Sequence, residues 1–272
     1  MYRRKPAVAG SFYPSNAQRL GMMIDSYLTE AQGPSPKGEV VGVISPHAGY
    51  VYSGPVAAHS FHRLAPDTEL VIALAPSHRA RFNGAAILPE GIFETPLGDV
   101  TIDAEMGSRL KERDYFGVIK EAHELEHSLE VQVPFLQKVL KSFSLVPIIV
   151  GTVDLAICRA IAEGIHAALA GETRKFAVVI STDLSHYHSY NTAQTLDRQF
   201  SDALKTFDER KVQDVISAGK AEACGEGPVL AGMALCRLLG AVKVDILKYA
   251  NSGDTAGSKD QVVGYLAAAF VK

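Results

Sequence analysis

Three histidines in this chain fall just past the end of an apolar run. Residues 40–44 lead into Ser45-Pro46-His47-Ala48-Gly49-Tyr50, residues 70–74 into Ala75-Pro76-Ser77-His78, and residues 176–180 into Ser181-Thr182-Asp183-Leu184-Ser185-His186. A lone histidine after a strand is usually a hydrogen-bonded loop residue. Three repeats of one arrangement, among only nine histidines, point to more than that. Neutral imidazole is the commonest metal ligand near pH 7, and two or three from separate loops make a usual ligand set. Cys224 adds a fourth reactive group, in Ala223-Cys224-Gly225-Glu226-Gly227-Pro228, where Pro228 is suited to open a helix. A thiol at a helix N-terminus has a lowered pKa and is available as nucleophile or ligand. Two chemistries fit these residues. One is a metal centre built from His47, His78 and either Cys224 or His186, working as Lewis acid or oxygen-activating site. The other is a nucleophile pair, Cys224 activated by His186 with Asp183 orienting the imidazole.

The other histidines read as structural. His59 and His62 lie on one helical stretch, His166 inside an amphipathic one, and His188 in a polar loop. His123 and His127 are four apart, a spacing that on a helix puts both on one face. Their acidic surroundings (Glu121, Glu124, Glu126, Glu130) instead suggest a helix start with carboxylates favoured by the helix dipole. A primary metal role is not expected there. His127, with Glu126 or Glu130, is expected to support the site or touch substrate.

The elements that must position these groups follow from hydrophobic patterning. Runs at 40–44, 70–74, 145–150, 176–180, 244–247 and 262–266 are short, β-branched and continuously apolar, as in strands covered on both faces. Helical patterns at 16–31, 54–64, 125–140, 155–169, 191–207 and 228–239 alternate with them. The expected fold is therefore α/β, a central and largely parallel or mixed sheet with helices on both faces. Residues 84–102, broken by Pro89-Glu90-Gly91 and Pro96-Leu97-Gly98, read as a β-excursion at the sheet's edge. The Pro/Gly-rich stretch 32–38 has the length of a loop, so a single domain over 1–272 is expected. In open α/β sheets ligands bind beyond the carboxyl ends of the strands, where the three histidines would meet.

Composition narrows the function classes. Lys plus Arg number 27 against 30 Asp plus Glu, for a formal charge of −3, and the one basic cluster is Arg3-Arg4-Lys5. A dedicated nucleic-acid binder is usually basic, so no nucleic-acid partner is expected. No apolar run reaches the ~18 residues of a membrane span, and the N-terminus does not read as a signal peptide. Three cysteines without framework spacing argue against a disulfide scaffold, and a cytoplasmic location is expected. G-x-S-x-G, P-loop and strand-associated G-x-G-x-x-G motifs are missing, which removes the usual signals of serine hydrolases, NTPases and dinucleotide enzymes.

A set of motifs running in order along almost the whole chain resembles the Memo family, whose microbial members are called AmmeMemoRadiSam system protein B. They are Ala9-Gly10-Ser11-Phe12-Tyr13-Pro14, Ser45-Pro46-His47-Ala48-Gly49-Tyr50, Pro76-Ser77-His78, Glu126-His127-Ser128-Leu129-Glu130, Ser181-Thr182-Asp183-Leu184-Ser185-His186 and Cys224-Gly225. The resemblance implies a fold similar to class III (LigB-like) extradiol dioxygenases, which use non-haem Fe(II). It places His47, His78 and Cys224 on metal-binding positions. It also places Asp183 and His186 on a further active-site pair, His186 matching the acid–base histidine of the dioxygenases. Phe12 and Tyr52 fall near the pocket with which animal members bind phosphotyrosine peptides, Phe12 standing where the animal protein has Trp. Dioxygenases complete their ligand set with a carboxylate, whereas a Cys224 thiolate is softer and would suit Fe, Cu or Zn. The expectation is a metal-dependent redox protein, holding Fe(II) with Cu or Zn as alternatives. Its substrate would be small or peptide-linked, and the family name implies a radical-SAM partner. The alternative is a non-catalytic module that uses the same cleft to bind a peptide or protein.

Overall fold

A computed structural model describes residues 2–31, 33 and 37–272. The expected loop at 32–38 therefore lies partly outside the described residues. Four parallel strands form the centre of the sheet, in the order Ser144–Val150, Leu70–Pro76, Phe176–Ser181, Val40–Ser45. Val262–Val271 continues it antiparallel to Val40–Ser45 and carries Lys243–Asn251 on its other side. At the opposite end, Ala85–Ile87 pairs antiparallel with the second half of Ser144–Val150. Gly98–Ile102 touches the first half of that strand and leads outward to Gly91–Thr95 and Arg3–Arg4. The sheet is mixed and mostly parallel, and the edge excursion lies where its turn residues predicted it.

Continuous hydrophobicity is explained by two cores. Leu70, Ile72 and Leu74 face one side, with Ile148, Ile180, and helices Leu155–Ala168 and Glu226–Leu238. Val71, Ala73 and Ala75 face the other, with Val43, Val179, and helices Ala17–Glu30 and Tyr50–Phe61. Successive side chains on a strand alternate faces, so a strand covered on both sides must be apolar at every position. All four central strands end at the same edge of the sheet. His47, His78 and Asp183 follow three of those ends within two residues.

The helix expected over 125–140 is a correction. The chain instead forms two short helices, His127–Glu130 and Val133–Val139, the second with Pro134 in its first turn. The acidic groups do not simply complement a helix dipole in solvent. Glu126 and Glu130 are both buried, and their carboxylates are committed to distant segments. Glu130 accepts from the Arg4 guanidinium, from Ala7 N at 2.8 Å, from Val8 N at 3.0 Å and from the Tyr13 hydroxyl. Arg4, itself buried, also donates to the carbonyls of His123 and Glu126 at 3.0 and 2.6 Å. Removing one member of a buried ion pair costs about 3–5 kcal/mol, because the other is left uncompensated. This network fixes the N-terminal segment against the start of helix His127–Glu130.

His123 belongs to the same structural layer. It is buried, with Nε2 3.2 Å from the Ala86 carbonyl, and burial holds its imidazole down at about 3. Above pH 6.5 both folded and unfolded forms are neutral and His123 adds no pH dependence. Below it the unfolded chain takes up a proton that the folded chain refuses, so stability falls as pH drops toward 3. His123→Gln is expected to remove a loss on the order of 2 kcal/mol between pH 7 and 4.5. Urea denaturation of both proteins at the two pH values measures it; parallel losses would contradict the assignment.

Candidate metal centre at the strand ends

His47 is positioned on every side. Its backbone N–H donates to Asp183 Oδ1 at 2.7 Å, its Nδ1 lies 2.8 Å from Ser181 Oγ, and its Nε2 lies 3.1 Å from Cys224 Sγ. His78 is held by one carboxylate: its N–H donates to Glu126 Oε2 at 2.6 Å and its Nδ1 lies 2.9 Å from Glu126 Oε1. The third ring is His127, immediately after Glu126. The ring centroids are 5.3 Å apart for His47–His78, 5.6 Å for His47–His127 and 4.8 Å for His78–His127. One nitrogen of each lies within 4.8 Å of the other two, with His47 buried, His127 half-buried and His78 exposed. Cys224 touches His47 from outside this set of three.

The stretch Glu126–Gln132 organises the site. Glu126 takes its three N–H donors from His78 and from Ser128 N at 3.0 Å. The Ser128 hydroxyl donates to Pro76 O at 3.0 Å, at the end of the strand that carries His78. Gln132 Nε2 contacts Pro46 O at 3.1 Å, beside His47, and Ser181 Oγ at 2.9 Å, at the end of the strand between them. Tyr50, which follows the His47 loop, donates to Val131 O at 2.6 Å. One segment thus ties three strand ends together.

Electrostatics favour the neutral form of His47 and His127. Burial, then the charges of His127, His78 and His186, pull the His47 imidazole well below its ordinary range. Burial likewise takes His127 down to about 4. For Glu126, burial works upward, but hydrogen bonds from His78 and Ser128 outweigh it and hold the carboxyl at about 2. Burial pushes Asp183 up to about 7, against the N–H bond from His47. The ionised Glu126 can only accept, so His78 Nδ1 carries a proton, and Nε2 is the nitrogen turned away from the carboxylate and available for a ligand role. A carboxylate behind a histidine in this way is the usual support of a metal-bound imidazole. Neutral nitrogens with a thiol alongside are a donor set that suits a transition-metal ion.

The sequence-predicted residues divide three ways. His47 and His78 come together as expected and Cys224 Sγ meets His47, but His127 rather than Cys224 completes the set of three within 4.8 Å. The Cys224 thiol, however, is not lowered by its helix: burial and the Asp183 carboxylate push it up. His186 is not oriented by Asp183, whose carboxyl serves His47; its Nδ1 lies 2.7 Å from Leu184 O. The Cys224–His186–Asp183 nucleophile arrangement is therefore not formed, since the sulfur meets His47. The Phe12 ring packs edge-on against His127, with centroids 5.0 Å apart, and Tyr52 is 41% exposed on the helix after His47. His127 is the member of the cluster that sequence reasoning set aside. Its signal was the Glu-His pair itself, hidden by the assumption of a longer helix. Ser181 and Gln132 carried no chemical signature in sequence.

Comparison with known proteins gives the family. A family profile described as Memo-like protein matches residues 4–269. The chain belongs to the Memo-like family. It is 36% identical over 271 residues to a MEMO1 family protein of Methanothermobacter thermautotrophicus, covering 96% of this chain and 98% of that one. It is 38% identical over 280 residues to one of Methanopyrus kandleri (98% and 98%) and over 287 residues to one of Ignicoccus hospitalis (99% and 99%). Membership carries the LigB-like assignment of the α/β sheet. Among the described residues of this Memo-family protein, no helix is long and apolar enough to cross a membrane.

Glu126→Gln tests the support given to His78. An amide presents one acceptor where three N–H groups converge, so at least one donor loses its partner. A loss of about 1–3 kcal/mol in unfolding free energy at pH 7 is expected from urea denaturation. Unchanged stability would show that the carboxylate does not hold His78.

Proposed function

We propose that this Memo-family protein is a metal-dependent redox protein whose centre lies between His47, His78 and His127, with Cys224 adding a sulfur donor beside His47. The observation that carries this is the approach of three imidazole nitrogens to within 4.8 Å of one another at the strand ends. An ion with nitrogen and sulfur ligands is expected to be Fe(II), with Cu or Zn as alternatives. Such an ion would supply Lewis acidity, and electron transfer if it is Fe or Cu. The protein's own contribution is to hold neutral ligands, to keep Glu126 ionised behind His78, and to place an acid–base group nearby. That group is His186. Its Nδ1 faces a carbonyl, which has no proton to give, so Nδ1 donates and Nε2 is left to accept a proton from substrate. Asp183 acts through His47, holding the backbone N–H of that ligand. The substrate would be small or peptide-linked, with Phe12, Tyr52, Glu126 and His127 near it. A radical-SAM enzyme as partner and a cytoplasmic location complete the proposal.

A second reading is favoured by the aromatic edge of the site, where Phe12 meets His127 and Tyr52 is solvent-facing. In it the cleft binds a peptide or partner protein without catalysis, and binding is insensitive to chelators.

Metal analysis after anaerobic purification and Fe(II) reconstitution separates these. Wild type is expected to hold about one ion per chain. The His47→Ala/His78→Ala double variant is expected to hold none, and Cys224→Ser and His127→Ala to bind more weakly. Equal sub-stoichiometric metal in wild type and the double variant would overturn the metal-centre reading.

A further inference from the structure

The most constrained hydroxyl near the site belongs to Ser181, the buried last residue of strand Phe176–Ser181. Its Oγ has three close neighbours: Ser128 O at 2.8 Å, Gln132 Nε2 at 2.9 Å and His47 Nδ1 at 2.8 Å. A hydroxyl has one proton and two lone pairs. The Ser128 carbonyl cannot donate, so the Ser181 proton is committed to it. Gln132 must present its NH2 side here, because the same nitrogen lies 3.1 Å from both Pro46 O and Ser128 O. Turning the amide over would set oxygen against two carbonyls. With one lone pair of Ser181 taken by Gln132, the other meets His47. Only a proton on His47 Nδ1 avoids two lone pairs facing each other at that distance.

We infer that Ser181, held by Ser128 and Gln132, is a positioning residue that locks His47 in its Nδ1–H tautomer and presents the Nε2 lone pair to the cluster. The other face of the ring agrees: Nε2 lies 3.1 Å from Cys224 Sγ, where a thiol S–H can donate to it. Gln132 bears a cost for this role. Its Oε1 is buried and has no hydrogen-bond partner, the kind of local frustration that folds tolerate at functional sites. His78 and His47 are thus fixed in the same tautomer by different means. An ionised carboxylate stands behind the exposed ring. A neutral hydroxyl stands behind the buried one, where a further charge would be costly to desolvate.

This inference rests on the metal-centre reading for its purpose, but the tautomer can be observed without metal. Long-range 1H–15N correlation spectra of metal-free protein labelled at histidine report which ring nitrogen carries the proton. Wild type and Ser181→Thr, which keeps the hydroxyl, are expected to show His47 as Nδ1–H. Ser181→Ala is expected to shift His47 toward Nε2–H and to weaken binding of Zn(II), used as probe, by about 10–100-fold. Ser181→Thr should restore it. An Nε2–H signal for His47 in wild type, or an unchanged tautomer in Ser181→Ala, would overturn the inference. Should Ser181→Ala fail to fold, the wild-type spectrum alone decides. An Nδ1–H wild type that takes up no Zn(II) would remove the metal-centre reading and leave the tautomer assignment standing, so the two fail separately.

Discussion

The site depends on one mechanical constraint, the seven-residue stretch Glu126–Gln132 laid across the carboxyl ends of the parallel strands. Parallel strands fix the positions of their last residues to within the sheet's register, but not the loops beyond them. Those loops are fixed here by side chains from a single segment. Glu126 reaches the His78 loop, Ser128 reaches Pro76, and Gln132 reaches both Pro46 and Ser181. Glu130, facing the other way, is anchored through Arg4 and the backbone of Ala7 and Val8. The segment is held from outside by a buried ion pair and in turn holds the cluster from within.

The arrangement also controls charge. A group of imidazoles close enough to share an ion must not be protonated, and burial supplies that condition for His47 and His127. The carboxylates that support the rings stand behind them rather than among them. Glu126 meets the distal face of His78, and Asp183 meets the backbone of His47. The thiol of Cys224, pushed up by burial and by Asp183, stays protonated until something replaces its proton. If the proposed ion takes Cys224 as a ligand, binding would release the thiol proton.

Much of this was legible in the sequence. The continuous apolar runs gave the central strands, because two-sided burial forces every position to be hydrophobic, and their ends located His47, His78 and Asp183. Cys224, expected as the third ligand with His47 and His78, contacts His47, while His127 completes the group of three. What failed was local reading where tertiary contacts take over. Residues 125–140 have helical periodicity, yet Glu126 and Glu130 are drawn into buried bonds and the helix is broken in two. That break carries His127 into the site. The lowered thiol pKa expected from a helix N-terminus was outweighed by desolvation. The Asp183–His186 bond inferred from their neighbouring positions was replaced by His47–Asp183, whose partners are 136 residues apart. Ser181 and Gln132 could not be found from type or spacing, since their role exists only in the folded hydrogen-bond network.

The central claim is that His47 and His78 offer their Nε2 atoms to one common ion. Anomalous diffraction from crystals soaked anaerobically with Fe(II) tests it most directly. The account predicts a single strong peak bonded to both Nε2 atoms, with His127 and Cys224 around it. A peak elsewhere, for example between His188 and Glu222, whose Nε2 and Oε1 lie 2.8 Å apart, or density bonded through Nδ1 of either His47 or His78, would contradict it.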